Sequence, residues 1–325
     1  MAIPASLANQ LSIPVIGSPL FIISNPDLVL AQCKAGVIGS FPSLNARPIE
    51  QLDEWLSRIN EELAAARRAS VTARIAPYAV NLIVHKSNTR IEEDLALCVK
   101  HKVPMVITSL GARPEVNDAI HSYGGMVLHD IINIVFAHKA LEKGADGLIA
   151  VCAGAGGHAG TLSPFALINE IRQFFDGPLA LSGAISTGAQ VLAAQAMGAD
   201  FGYIGSAFIP THEARAVDGY KDMIVDSAAK DIIYSSLFTG VHGNYLAPSI
   251  AKAGMDPNTL PDGDKAQMSF QSGEGSKAKA WKDVWGAGQG VGGVTARMGA
   301  GEYIAKLVRE YEEAKAKILK GPVTV

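Results

Sequence analysis

His158 stands alone among small residues in the run Ala153-Gly154-Ala155-Gly156-Gly157-His158-Ala159-Gly160. An imidazole titrates near neutral pH, so it can take up a proton or face a developing anion. The four glycines of the run remove the side chains that would hold a flat ligand away from the backbone. The segment before it, Gly147-Leu148-Ile149-Ala150-Val151-Cys152, is apolar throughout and predicts a buried strand. A base on a Gly-rich loop at the C-terminal end of a strand is one way an α/β enzyme sets a proton acceptor beside a bound cofactor. Taken by itself, the run also fits a plain turn that happens to hold a histidine.

A second chemistry is suggested by Ser182-Gly183-Ala184 and Gly205-Ser206-Ala207, each of which follows an apolar segment. Small residues there let backbone N–H groups point at phosphate oxygens, with a hydroxyl to help and no Lys or Arg required. The plainer alternative is a pair of tight strand-to-helix turns. Asn81 interrupts the apolar Val80-Asn81-Leu82, and an unpaired buried amide costs a few kcal/mol, so it requires a partner. Backbone could supply it, and so could the donor–acceptor edge of a flat heterocycle. Gly17-Ser18-Pro19 and His129-Asp130 end two further apolar segments. His129 and His212 are read as satisfied core or rim histidines, and His85, His101, His121 and His138 as solvated. No His/Asp/Glu cluster has metal-ligand spacing, so no metal is expected. Ser182 and Ser206 lack the G-x-S-x-G elbow of a serine hydrolase.

These residues need a scaffold, and the chain predicts one. Mostly apolar segments at Val15–Ser18, Val37–Ser40, Ala79–Ile83, Met105–Leu110, Met126–Ile131, Gly147–Cys152, Pro178–Ser182 and Phe201–Gly205 alternate with amphipathic stretches. Continuous rather than alternating hydrophobicity is expected of parallel strands covered on both faces. Ile49, Leu52, Leu56, Ile59 and Leu63 form one apolar helical face; Ser186 or Thr187 can cap a helix over Gln190–Met197 that Gly198 ends. Eight such strands favour an α/β fold of the (β/α)8 TIM-barrel type over an open doubly wound sheet, because no G-x-G-x-x-G follows the first strand. In that barrel, the loops after strands seven and eight are where a phosphate is commonly held. Beyond Pro210 the rhythm breaks. Glu213–Lys230 reads as helical, Phe238–Leu246 as Gly-punctuated and Asp256–Gly275 as a loop. Residues 1–212 and 294–325 are therefore assigned to the barrel and 213–293 to an extension or lid over its mouth. The segment Gly301–Leu319 predicts a final helix with Ile304, Leu307, Val308 and Tyr311 inward.

Composition narrows the partners. A chain of 325 residues, 48% hydrophobic, can bury a large core, and a net charge of −3 without a basic run argues against nucleic acid and anionic membrane. No apolar run is long enough to cross a bilayer and the N-terminus has no signal-peptide pattern. Cys33, Cys98 and Cys152 are far apart and read as buried thiols, which together point to a cytoplasmic protein. A homodimer is compatible with the sequence and not read from it. The partner expected is a small-molecule substrate.

Taken in order, the Pro14–Pro19 opening, Val80-Asn81-Leu82, Ala155-Gly156-Gly157-His158-Ala159-Gly160, Leu181-Ser182-Gly183-Ala184 and Tyr203-Ile204-Gly205-Ser206-Ala207-Phe208 resemble the nitronate monooxygenase family, formerly the 2-nitropropane dioxygenases. The resemblance covers Pro14 to about Glu213 and extends less fully into the C-terminal part. It implies an FMN-dependent barrel with His158 as catalytic base or substrate-anion partner. It implies flavin contacts from Gly17, Ser18, Asn81, Asp130, Gly156 and Gly157. Ser182, Gly183, Ala184, Tyr203, Ile204, Gly205 and Ser206 would hold the phosphate and neighbouring groups. Thr239–Leu246 is similar to a family segment near the substrate mouth, and Trp285–Gly290 to one before the last helix. The chain departs from many members in having Ser18-Pro19 for a Gly pair, Val151 for Gln, and Asp130 where some have Lys or Ser nearby. An acid beside the flavin would disfavour an anionic reduced ring.

Three functions follow as expectations. The first is oxidation of alkyl nitronates, and of nitroalkanes after proton removal, with O2. The second is an NAD(P)H-dependent reductase of quinones or enoyl thioesters on the same flavin barrel. The third is a barrel without flavin, such as a phosphosugar enzyme.

Overall fold

The computed structural model describes residue 3 and residues 5–263 and 284–321. Eight parallel strands form the central sheet: β1 (Val15–Gly17), β2 (Gly39–Pro42), β3 (Tyr78–Ile83), β4 (Met105–Ser109), β5 (Met126–Ile131), β6 (Gly147–Val151), β8 (Leu179–Ser182) and β9 (Phe201–Ile204). Their spatial order is β1-β9-β8-β6-β5-β4-β3-β2. A parallel bridge between Ile16 and Ile38 joins the two ends, so the sheet closes as the expected barrel. All eight expected strands are present, with ends displaced by a residue or two.

The apolar runs are continuous because each strand is buried on both faces. One set of alternate residues points inward: Ile16, Ala79, Met105, Ile107, Leu128, Ile149, Val151, Ala180, Phe201 and Tyr203 pack together as a single interior cluster. The other set meets the helices. Val80, Val106 and Val127 pack with Trp55, Leu56 and Ile59 of the helix Ile49–Ala69, and Leu148, Leu179 and Ile204 join the cluster of the opposite wall.

Local signals fix the helix ends near the site. Thr187 and Gln190 form a capping box on Gly188–Ala196, and Gly198 follows it with φ +111°. The helix Ala300–Leu319 lies against this one; a Cβ on Gly188 would fall 2.0 Å from the Leu307 carbonyl oxygen, so glycine sets the approach of the two axes. The helix expected over Glu213–Lys230 is confined to Asp218–Asp226. The residues before it serve other elements: the Glu213 carboxylate accepts the Ala300 N–H, and the Arg215 N–H is given to the Ile23 carbonyl.

The extension adds a small antiparallel sheet. Its strands are β10 (Ile232–Ser235), β11 (Gly243–Leu246) and β7 (Gly157–His158), with β11 in the centre. The expected loop Asp256–Gly275 is described to Gly263, where an Asx turn at Asp256 caps Asn258; the rest lies outside the described residues. Among the described residues no helix is long and apolar enough to cross a membrane.

Candidate active site

The inward parity that ends in apolar residues at the bottom of the barrel ends in polar ones at its C-terminal rim. Asn81 follows Ala79 on β3, Ser109 follows Ile107 on β4, and Asp130 follows Leu128 on β5. The three are joined. Asn81 Nδ2 donates to the Ile107 carbonyl (3.0 Å) and to Ser109 Oγ (2.7 Å); Ser109 Oγ donates to Asp130 Oδ2 (2.5 Å). Asn81 thus finds the backbone partner that the sequence required, plus a hydroxyl, and both its amide hydrogens are spent. Its remaining chemistry is that of an acceptor. Asp130 Oδ1 is buried with no hydrogen-bond partner. Burial raises this carboxyl to about 6, against the opposing pull of the Ser109 hydrogen bond. Burial, and next the nearby Asp130 carboxyl, push the hydroxyl of Tyr203, inward on β9, well upward against the opposing pull of a hydrogen bond with Ser18. His129 has the opposite parity. It is buried outside the barrel, its Nδ1 2.6 Å from Thr108 Oγ1, and burial lowers its pKa to about 4.

The other half of the rim is made of backbone. Gly183 has φ +147°, and a Cβ there would lie 2.9 Å from the Ala153 carbonyl oxygen. Ala184 follows in the left-handed region at φ +54°, a strained position for a residue with a side chain. A Cβ on Gly205 would press on Leu20 and Ser18 at 3.3 Å. Both loops lie under one cover, the segment Ala287–Gly290. The Gly288 N–H donates to Ser206 Oγ (2.9 Å), the Gln289 N–H to the Gly154 carbonyl (2.8 Å), and a Cβ on Gly290 would meet Ala184 at 2.8 Å. Gly156 is needed here because a Cβ would strike Gly288 N at 2.8 Å. Gly157 differs: at φ +68° its missing side chain points to open space. Gly17 has a structural explanation, since a Cβ would sit 2.4 Å from Gln32 Nε2 and its N–H is given to Ile38. The Ile204 carbonyl accepts the Ser18 N–H, and its side chain faces the helices.

His158 lies on β7, level with Gly243 of β11, and is half-buried. Its Nε2 is 3.0 Å from Thr239 Oγ1. The Thr239 hydroxyl donates to the Val241 carbonyl (2.9 Å), so towards the imidazole it can only accept. That places the ring hydrogen on Nε2 and the basic lone pair on Nδ1. Burial lowers the imidazole to about 4, so it is neutral over the physiological range rather than half-charged. Asn244 fixes the same loop through Nδ2 to the Ala155 carbonyl (2.6 Å), and Tyr234 through its hydroxyl to the Ala159 carbonyl (2.9 Å).

Ser109 is not singled out in the sequence, although the alternation Met105, Ile107, Ser109 is a signal for it. Thr239, Asn244 and Gly288 fall within the two segments that resemble the family, Thr239–Leu246 and Trp285–Gly290, but their individual contacts could not be read because their partners are remote in sequence. Two histidines read as solvated are paired instead: His101 with Asp53 (2.5 Å) and His121 with Asp146 (2.8 Å). His138 stacks on Phe174. Cys33, Cys98 and Cys152 are free and buried. Among the described residues no three His, Cys, Asp or Glu side chains gather as a metal would need.

A closed α/β barrel with polar side chains on one part of its C-terminal rim, glycine loops on the other and an imidazole on the adjoining loop defines a barrel enzyme with a ligand site at the strand ends. The family model described as nitronate monooxygenase matches residues 6–310, and the chain belongs to that family of flavin-using oxidoreductases. It is 25% identical to a nitronate monooxygenase of Paraburkholderia phytofirmans, over 93% of each chain. Among solved structures it is similar to FabK from Thermotoga maritima, with TM-score 0.77 and 20% identity over 98% of this chain and 99% of that one. A nitroalkane oxidase from Streptomyces ansochromogenes has TM-score 0.77 and 21% identity over 96% and 100%. At these identities the two structures speak for the fold.

Proposed function

We propose that this chain is an FMN-dependent enzyme that oxidises alkyl nitronates with O2, and nitroalkanes once their α-proton is removed, with His158 as base or anion partner. The observation that carries the reading is the state of His158: a neutral imidazole with its hydrogen held on Nε2 by Thr239, on a loop whose glycines adjoin both small-residue rims. The rims suit FMN. Gly157 opens onto unfilled space, the turn at Gly183–Ala184 needs a residue without a side chain, and Asp130 Oδ1 is a buried polar atom awaiting a partner. Ser182, Gly183, Ala184, Tyr203, Ile204, Gly205 and Ser206 would hold the phosphate end. Gly17, Ser18, Asn81, Asp130, Gly156 and Gly157 would line the ring.

When bound, FMN supplies the electron-accepting chemistry. The protein's own part is proton handling and placement. With its hydrogen on Nε2 the ring is neutral at neutral pH, the protonation state a base for the α-proton of a neutral nitroalkane requires. Its low proton affinity reflects burial, and the nitronate formed beside it compensates, because an adjacent anion favours the imidazolium. With a substrate already in the nitronate form, the same ring orients the anion and takes no proton. Residues 213–293 act as a lid, and the β7–β11 pairing ties the base to it.

The family of the chain favours this reading over the NAD(P)H-dependent reductase. A visible spectrum of the purified protein followed by anaerobic titration tests it. Bleaching of a flavin band by propionate 3-nitronate is expected. Bleaching by NADH or NADPH with nitronate inert would assign the reductase, and a colourless protein that takes up no FMN would exclude both.

A further inference from the structure

The chain Asn81–Ser109–Asp130 has a fixed polarity. Asn81 gives both Nδ2 hydrogens away, one of them to Ser109; Ser109, with one hydrogen, must give it to Asp130 Oδ2. What the chain offers to a ligand is then set at its two ends. Asn81 retains only an acceptor, its Oδ1. Asp130 retains Oδ1, buried and without a partner. As a carboxylate, that atom would be an unpaired anion in an apolar surround; as an acid, it would be a donor.

The surroundings favour the acid. From β6, Ile149 and Val151 face Asp130's side of the barrel and are apolar. From β4 the Ser109 hydroxyl donates to it. From β9 comes Tyr203, the titratable group that senses its charge, and that group is itself neutral. His129, next in sequence, turns to the opposite face and is bonded to Thr108. Among the described residues no Lys, Arg or His forms an ion pair with Asp130. The raised carboxyl agrees with this geometry.

We infer that Asp130 carries a proton on Oδ1 and donates it to a ring carbonyl or ring nitrogen of the bound heterocycle, while Asn81 Oδ1 accepts from the neighbouring ring N–H. The rim thereby selects a ligand edge with N–H beside an acceptor, as a flavin pyrimidine has. The inference rests on the flavin reading above and adds that ring recognition depends on a proton.

Two measurements test it together. The first is FMN dissociation followed by flavin fluorescence, for wild type and Asp130→Asn, from pH 5 to 8. Asn keeps the shape, accepts from Ser109 and donates at the other end, but does not titrate. Wild-type affinity relative to the variant should fall about tenfold per pH unit once the carboxyl ionises. Taking the ratio removes the titration of the FMN phosphate, which is common to both proteins. Parallel profiles would overturn the inference while leaving the flavin reading intact. The second is the infrared carboxylic-acid band of the FMN-free protein. A band present at pH 5, lost by pH 8 and missing from Asp130→Asn is expected; its absence at pH 5 overturns the inference whether or not FMN binds. Failure of both proteins to bind FMN at any pH would sink the flavin reading and the ring contact with it.

Discussion

The two halves of the barrel rim solve the same problem with different atoms. On β3, β4 and β5 the work falls to side chains, Asn81, Ser109 and Asp130, linked in one hydrogen-bonded line. After β6, β8 and β9 it falls to main chain, with glycines and alanines turning through left-handed or crowded conformations under the Ala287–Gly290 cover. A side-chain rim can discriminate donors from acceptors and respond to pH. A backbone rim presents N–H groups that do not titrate, so its grip on an anion is constant but intolerant of added atoms. Under the proposed function the ring would lie on the first half and the phosphate on the second.

Substitutions can break that division. The largest effect is expected where the two halves meet, at the base. His158→Ala should lower turnover of neutral nitroalkanes by about 10²–10⁴-fold while FMN stays bound. Nitronate oxidation should suffer far less, and normal rates on both substrates would remove the base role. Next, Gly183→Val forces a β-branched residue to φ +147° against the Ala153 carbonyl. It should cost about 2–3 kcal/mol in chemical denaturation and weaken FMN more than riboflavin, which lacks the phosphate. Ser109→Ala should cost about 1–2 kcal/mol by leaving Asn81 and Asp130 unbridged, and should weaken FMN and riboflavin equally. Equal discrimination by the two variants would dissolve the division. The smallest effect is a displaced pH profile. Because burial lowers His158 from 6.5 to about 4, the neutral base persists as pH falls, and kcat/KM for a nitroalkane should lose its acid limb near pH 4 instead of near 6.5.

The barrel was legible because doubly covered parallel strands leave long apolar runs, which need no partner to be recognised. Val15–Gly17 and Gly147–Val151 are as plain in the sequence as in the fold. The rim was half legible. Glycines after strands announce turns, and Asn81 and Asp130 stand out against apolar neighbours. Ser109 did not, since a serine at a strand end is unremarkable until alternation is counted from Met105. The contacts of His158 were out of reach, because Thr239 and Gly243 meet it only through a pairing set by tertiary structure. Glu213 shows the reverse error: helical by composition, it is drawn off by Ala300.

The pairing of Gly157–His158 with Gly243–Leu246 has a consequence for how the molecule is made. During synthesis the barrel strands emerge first, and the imidazole leaves the ribosome well before the segment that orients it. A barrel without the last third of the chain lacks both the strand that pairs with the imidazole and the Ala287–Gly290 cover over the glycine loops. Base and cover are therefore completed by the same late portion of the chain.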